Sequence, residues 1–307
     1  MRKLFLALVI FHAAIIVGFA QQTTIDSLQN ALVQENADTA KAEILFDIAE
    51  LYLGKGKVDS ARIYFDASLE ELENAPYGYR IHHLALVFYA FHNARLNQES
   101  LRYSILMHSI SQEADDPKYL GRYYWVEGSR LNSVGKTDSA LRVLHKALTI
   151  FEDLGDRRQI SWSHLNIAGV KISQKEFVAA YIHAVTALDL NEKYNQRNKA
   201  NRELLILSQL NMILYQIGNY EEALASAKRI IRLRYQSEKP DYGRILNEYM
   251  NISTAYYYYT DRNDLALAYA DSASLLASKM SFPKLQNTLN LHRAVILVDS
   301  EMYGEAS

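Results

Sequence analysis

The chain has no cysteine among its 307 residues, and only 4 prolines and 12 glycines. The lack of cysteine excludes disulfides, thiol catalysis, zinc sites built on thiolates and lipid attachment to a cysteine. Scarce proline and glycine argue against long interrupted loops. A formal charge of −2 gives no electrostatic reason to expect a nucleic acid or an anionic membrane surface as partner. With 49% apolar and 22% charged residues, the composition is that of a folded globular protein.

Motifs that carry chemistry are also scarce. The sequence has no phosphate-binding loop, no nucleophile elbow and no His-Glu-x-x-His motif, and the pair His82-His83 with His92 lacks the spacing that places two imidazoles on one helix face. We therefore expect no metal, no cofactor and no enzyme activity. The alternative is an enzyme that uses carboxylates across a groove, but the acidic residues fall at predicted helix ends or connections, where solvation is usual. Examples are Glu70, Glu71, Asp115 and Asp116.

One basic run stands out against this background. Its members lack interleaved aromatic residues beyond Tyr235, so we interpret the run as a solvated helix end rather than a nucleic-acid contact. They are Lys228, Arg229, Arg232 and Arg234.

The first twenty residues have the pattern of an export signal. A basic start at Met1–Lys3 precedes an apolar run from Leu4 to Val17, and small residues follow at Gly18 and Ala20. We expect cleavage after Ala20 and a periplasmic or other extracytoplasmic location in a bacterium. An uncleaved membrane anchor is the alternative, since the run is near the lower length limit for spanning a bilayer. No second apolar run of spanning length follows.

A turn followed by an alanine recurs along the rest of the chain. It is clearest at Gly56 to Ala61, Gly135 to Ala140 and Gly218 to Ala223. Weaker copies end at Ala180, Ala266 and Ala306. The interval from Ala61 to Ala140 is 79 residues and the later intervals are 40 to 43, so a degenerate repeat centred near Ser100 lies in the first one. A constant period of this length predicts a solenoid of stacked repeats.

Each repeat has the pattern of two antiparallel helices. Leu207, Leu210 and Leu214 follow helical spacing before the turn, and Ala223 and Ala227 continue it afterwards. Small residues twelve positions before the alanine would let the two helices approach closely. They are Ala49, Gly128 and Ala168. All four prolines fall between repeats, at positions 76, 117, 240 and 283, as do the polar stretches 155–158 and 195–198. The fold class predicted is an all-α solenoid.

The repeats resemble the tetratricopeptide repeat (TPR). The matching positions are Ala49, Tyr52, Gly56, Ala61 and Phe65 in the first unit; Gly128, Gly135, Ala140 and Ala147 in the third; Ala168, Phe177, Ala180 and Ala187 in the fourth; Gly218, Tyr220 and Ala223 in the fifth; and Tyr257, Ala266 and Ala273 in the sixth. The departures are Ser68 where alanine is expected, Asn211 and Thr254 where another small residue is expected, a second unit that keeps almost none of the pattern, and units of 40 to 43 residues instead of about 34. The extra residues indicate longer helices.

The resemblance implies a domain organisation. Residues 1–20 are the signal peptide, 21–41 a helical lead-in, and 42–307 an array of about six full units with a truncated seventh. Because Ala306 is the penultimate residue, we expect the sequence to be the front part of a longer protein. Exported arrays of this kind resemble the sensor regions of bacterial histidine kinases and helix-turn-helix regulators. A stand-alone secreted adaptor or spacer is the alternative.

The resemblance also implies a binding surface. In this family the first helix of each unit lines a concave groove that holds a protein or peptide, and counting back from each alanine assigns seven residues to that groove. They are Arg122, Trp125 and Asn132 of the third unit, Trp162 of the fourth, Tyr215 of the fifth, and Asn251 and Tyr258 of the sixth. The alternative for the aromatic residues is packing between helices.

Overall fold

The computed structural model describes residues 24–194, 199–238, 240–260, 262–280 and 283–304, of which 283–285 and 299–304 are described by their backbone alone. These residues form fourteen α-helices and no strand. The first, α1, covers residues 24–34. The others are α2 (Asp38–Gly54), α3 (Val58–Glu70), α4 (Tyr77–Asn93), α5 (Asn97–Glu113), α6 (Pro117–Ser133), α7 (Thr137–Asp153), α8 (Arg157–Ser173), α9 (Phe177–Tyr194), α10 (Lys199–Gln216), α11 (Tyr220–Tyr235), α12 (Tyr242–Tyr259), α13 (Asn263–Lys279) and α14 (Pro283–Gly304).

Consecutive helices pack as pairs, such as α2 with α3, α4 with α5, α8 with α9, α10 with α11 and α12 with α13. Neighbouring pairs also contact each other, as α3 does α4, α9 does α10 and α11 does α12. The all-α repeat array predicted from the sequence is confirmed. The chain divides into two compact units, residues 1–150 and 151–307. The predicted signal peptide, the boundary at 195–198 and Ala306 lie outside the described residues.

The alanine that follows the turn of each repeat is called the key residue. In the compact unit 1–150, the key position of each repeat is completely buried. Ala61 and Ala140 have no exposed surface, and Ser100 takes the same place in the degenerate repeat with none either. That repeat departs from the pattern because its core is aromatic: Phe88 stands where a small residue is usual, and Tyr103 is also buried. Large side chains fill the space that close helix contact would otherwise remove.

The second unit has the same construction. Ala180, Ala223 and Ala266 are completely buried. Seven positions further on, Ala187 and Ala273 are also completely buried, so these two helices are packed through small side chains; after Ala223 the same position is the buried Ile230.

The turn inside each repeat uses a left-handed residue five positions before the key residue. Gly56 and Gly218 have φ of 71° and 77°, a conformation that glycine adopts without a steric penalty. In the degenerate and fourth units the same position is Arg95 and Lys175, with φ of 60° and 61°. The turn therefore has the same left-handed backbone conformation in the two repeats that lack the glycine.

Helix starts coincide with the predicted boundaries. Pro117 occupies the first turn of α6, where its missing N–H costs no helical hydrogen bond, and Asp116 accepts a hydrogen bond from the Lys118 N–H. Asp156 and Asp241 cap α8 and α12 in the same way. The helix α2 begins at Asp38, a few residues before the predicted start of the array at 42.

Candidate binding site between α10 and α12

A pocket of about 420 Å³ lies between α10 and α12, the first helices of two neighbouring pairs in the second unit. Asn211 and Tyr215 of α10 line one side. Glu248, Asn251 and Tyr259 of α12 line the other. Two of the seven predicted groove residues, Tyr215 and Asn251, are therefore brought together in one pocket.

Three polar atoms in this pocket are buried without a hydrogen-bond partner among the described residues. They are Asn211 Oδ1, the Tyr215 hydroxyl and Glu248 Oε2. Asn211 is only 7% exposed. Leaving such an atom unpaired costs about 1–3 kcal/mol, and most buried polar groups in proteins are paired. Three such atoms in one pocket indicate a place where a ligand supplies the missing hydrogen-bond partners.

Glu248 is the acid of this pocket, and the described lining residues include no Lys, Arg or His; Arg234 lies outside the lining but near enough to act on this carboxyl. Burial raises the pKa of the Glu248 carboxyl, while Arg234 and a hydrogen bond from Asn251 act in the opposite direction. Burial, with a smaller effect of Glu248, raises the pKa of Tyr215 to about 12, so this phenol is neutral at pH 7. The pocket therefore combines one acid with neutral hydrogen-bonding groups.

Three tyrosines form an aromatic group at this site. The rings of Tyr220 and Tyr259 are stacked, with centroids 4.0 Å apart and an interplanar angle of 7°. The Tyr215 ring lies 6.3 Å from each of them. Flat aromatic faces beside a carboxylate suit a ligand group that is planar or cationic.

The other two residues predicted for the groove in the compact unit 151–307, Tyr258 and Trp162, lie outside this pocket. Tyr258 is 66% exposed and contacts the neighbouring Tyr257 ring, but it does not line the pocket. Trp162 packs against a small cluster with Leu165, and its ring lies 4.6 Å from the Arg202 guanidinium. The indole is therefore at least partly a packing residue.

The three residues predicted for the third repeat, which belongs to the compact unit 1–150, all lie on α6. Arg122, Trp125 and Asn132 are each half-buried. Asn132 Oδ1 is buried without a hydrogen-bond partner among the described residues. Asn132 and Tyr215 stand eight positions before the alanine of their respective units, so the same repeat position has an unpaired polar atom in both.

No protein-family model and no curated protein matches the sequence. Several solved structures have a similar fold. A STAND signal-transduction ATPase with a tetratricopeptide repeat sensor, from Pyrococcus horikoshii, has a TM-score of 0.62 and 16% identity over 88% of this chain and 40% of that protein. The fold is that of a TPR array. A Rap protein complexed with Competence and Sporulation Factor has a TM-score of 0.57 and 14% identity, over 89% of this chain and 79% of that protein. BtubC from P. vanneervenii has a TM-score of 0.51 and 15% identity, over 86% of this chain and 90% of that protein. The match to the STAND protein covers less than half of that protein's length.

Sequence reasoning missed the other lining residues of the pocket, among them Asn211, Glu248 and Tyr259. Glu248 stands eighteen positions before Ala266, the same count that selects Trp162, and so could have been found. Asn211 was visible only as a departure from the small residue usual in a TPR. Its burial in a pocket depends on the facing helix α12, which the repeat pattern does not describe.

Two members of the basic run make contacts within the TPR array. Arg229 donates from Nε to Glu203 and from a terminal nitrogen to Glu192, both at 2.6 Å. Lys228 donates to the Tyr256 hydroxyl at 2.7 Å. Both side chains are half-buried, so these two cations are partly solvated and partly held by neighbouring side chains.

In the described part of the chain, no group of three or more His, Asp or Glu side chains converges as metal ligands would. None of the described helices has the length and apolarity needed to cross a bilayer. Of the acidic residues considered for catalysis, Glu71 pairs with Lys41 at 3.7 Å, and Asp116 caps α6.

Proposed function

We propose that this TPR array is a binding scaffold, and not an enzyme, whose first helices hold a peptide or a partner helix. The observation that carries the proposal is the set of three buried polar atoms, on Asn211, Tyr215 and Glu248, that have no hydrogen-bond partner in the described part of the chain. An extended peptide has an N–H and a C=O at every residue and can pair such atoms.

The structural neighbours support this proposal by analogy. The Rap protein was crystallised with Competence and Sporulation Factor, so an array of similar fold does hold a ligand. The STAND protein uses its repeats as a sensor. Both are at most 16% identical to this chain, and the proposal for this protein rests on its own pocket.

We further propose that the array is exported and forms the sensor or interaction part of a longer signalling protein. The leader-like residues 1–20 and the resemblance to exported TPR sensors support this. A stand-alone secreted adaptor or spacer is the alternative. Mass spectrometry of protein from the cell envelope should find a chain that begins at Gln21. Intact Met1 in protein from the soluble cytoplasm would contradict export.

Selection from a random peptide library tests the binding function. The full chain should enrich peptides, and Asn211→Leu should weaken their binding at least tenfold, since it removes an unpaired acceptor from the pocket. The control is Asn201→Leu, which changes an exposed asparagine on the same helix outside the pocket. No enrichment, or equal losses in both variants, would contradict the proposal.

A further inference from the structure

We propose that the α10–α12 pocket takes the guanidinium group of an arginine side chain in the bound peptide. The inference rests on the proposed function, because it names the ligand chemistry of the same groove. It is carried by the geometry of Asn211, Tyr215 and Glu248.

The unpaired atoms of the pocket are acceptors or can act as acceptors. Asn211 Oδ1 accepts only, an ionised Glu248 Oε2 accepts only, and the Tyr215 hydroxyl can do either. A guanidinium has five N–H donors and no acceptor. Its donors therefore match in kind the acceptors that the pocket offers. A carboxylate ligand would instead meet Glu248 with like charge and leave the acceptors unpaired.

The charge of the pocket also calls for a cation. Glu248 is the one Asp, Glu, Lys, Arg or His side chain among the described residues that line the pocket. Arg234 lies close enough to influence this carboxyl, yet Glu248 Oε2 and Arg234 Nε both lack a hydrogen-bond partner among the described residues. Oε2 therefore stays available to a cation from outside. Asn251, which hydrogen-bonds to Glu248, acts as a positioning residue for the carboxylate.

The aromatic group favours arginine over lysine. Tyr259 lines the pocket with its ring stacked on Tyr220, and the Tyr215 ring lies nearby. A planar guanidinium stacks on such rings and still points its N–H groups sideways at acceptors, whereas an ammonium is a compact point charge. The volume of about 420 Å³ exceeds that of a guanidinium and leaves room for part of the side-chain stem.

The test uses two small probes, N-acetyl-arginine amide and N-acetyl-citrulline amide, added to the full chain. Citrulline keeps the shape of arginine but replaces the cationic guanidinium with a neutral urea. The readout is the side-chain amide signal of Asn211 in a ¹H–¹⁵N spectrum. We expect the arginine probe to shift this signal in a saturable way, with at least tenfold weaker binding of citrulline. N-acetyl-lysine amide should also bind more weakly than arginine.

Two variants complete the design. Glu248→Gln should remove the difference between arginine and citrulline, and Glu221→Gln, the same change at an exposed position of α11, should keep it. If Glu248→Gln does not fold, the arginine–citrulline comparison on the unaltered chain decides alone. A silent Asn211 signal, or equal binding of arginine and citrulline or of arginine and lysine, overturns the inference. If peptides are enriched but the arginine probe is silent, the proposed function stands and this inference fails. If the probe responds but no peptide is enriched, the proposed function fails and only the affinity of the pocket for a guanidinium remains.

Discussion

The side chain of Leu144 on α7 lies against the backbone of Gly128 on α6, and a Cβ built on Gly128 would stand 2.6 Å from Leu144 Cγ. Real Cβ atoms do not approach a neighbour this closely. The small residue twelve positions before the key alanine is therefore required by packing in the third repeat.

Gly128→Ala should consequently destabilise the array. Overpacking costs about 1–3 kcal/mol, which outweighs the gain of about 1 kcal/mol from replacing a helical glycine by alanine. The matched control is Gly169→Ala on α8, where the new Cβ would lie 3.7 Å from Gln209 Nε2 in ordinary contact, and where we expect a gain. Urea unfolding measures both. A loss at Gly169 as large as at Gly128 would contradict this explanation.

Lys175→Gly should stabilise the protein, because Lys175 is exposed and held at φ 61°. Relief of the left-handed strain should raise the free energy of unfolding by about 0.5–1 kcal/mol. The reverse change, Gly135→Ala at φ 77° in open space, should cost about 1 kcal/mol. Thermal unfolding of the two variants checks both signs. A lower melting temperature for Lys175→Gly would show that the lysine side chain contributes more than its strain costs.

Tyr215→Phe should separate binding from stability. The Tyr215 hydroxyl is buried and unpaired in the described structure, so its removal should leave stability unchanged or raise it by about 1 kcal/mol, while peptide binding weakens. The control is Tyr103→Phe, since the Tyr103 hydroxyl donates to Asp66 Oδ1 at 2.9 Å and its loss should cost about 1 kcal/mol. Equal losses of stability in the two variants would mean that the Tyr215 hydroxyl is already paired in the free protein.

Stability should fall on acidification because of His83. Burial, helped by His82, lowers the pKa of His83 from 6.5 to about 4. Ser68 donates its hydroxyl hydrogen to the Phe65 carbonyl, so His83 Nε2 donates to Ser68 Oγ at 2.9 Å in the neutral form. The folded state therefore binds fewer protons than the unfolded state between pH 6.5 and 4, and roughly 3 kcal/mol should be lost across that window.

Melting curves at pH 7 and pH 4.5 for the unaltered chain and His83→Gln check this. The variant should lose less stability over the interval. His145→Gln, a change at an exposed histidine of α7, is the control and should behave like the unaltered chain. The same acid loss in His83→Gln would assign the effect to other groups.

The fold was predictable because one residue per repeat must be small and buried, and Ala61, Ala140 and Ala223 make the period visible. Arg95 and Lys175 replace the turn glycine in two repeats and so weaken the sequence signal there, since sequence patterns do not show where a chain tolerates backbone strain. The binding site was predictable only in part. Counting within a repeat identified Tyr215 and Asn251, but it did not identify the pocket, which forms between the first helices of neighbouring repeats.

The same limit explains the remaining residues of the site. Whether a polar atom stays unpaired depends on the facing helix, which no single repeat specifies. Asn211 and Glu248 became candidates only once their unpaired atoms were seen in one pocket. Trp162 shows the converse, because a residue at a groove position packs against an arginine and an apolar cluster.

Hydrogen–deuterium exchange of the full chain, with and without a peptide enriched from the random library, tests the central claim most directly. If the first helices form the binding surface, the peptide should slow amide exchange in α10 (Lys199–Gln216) and α12 (Tyr242–Tyr259). The second helices α11 (Tyr220–Tyr235) and α13 (Asn263–Lys279) serve as internal controls and should change little. Slowed exchange confined to α11 and α13 would contradict the account.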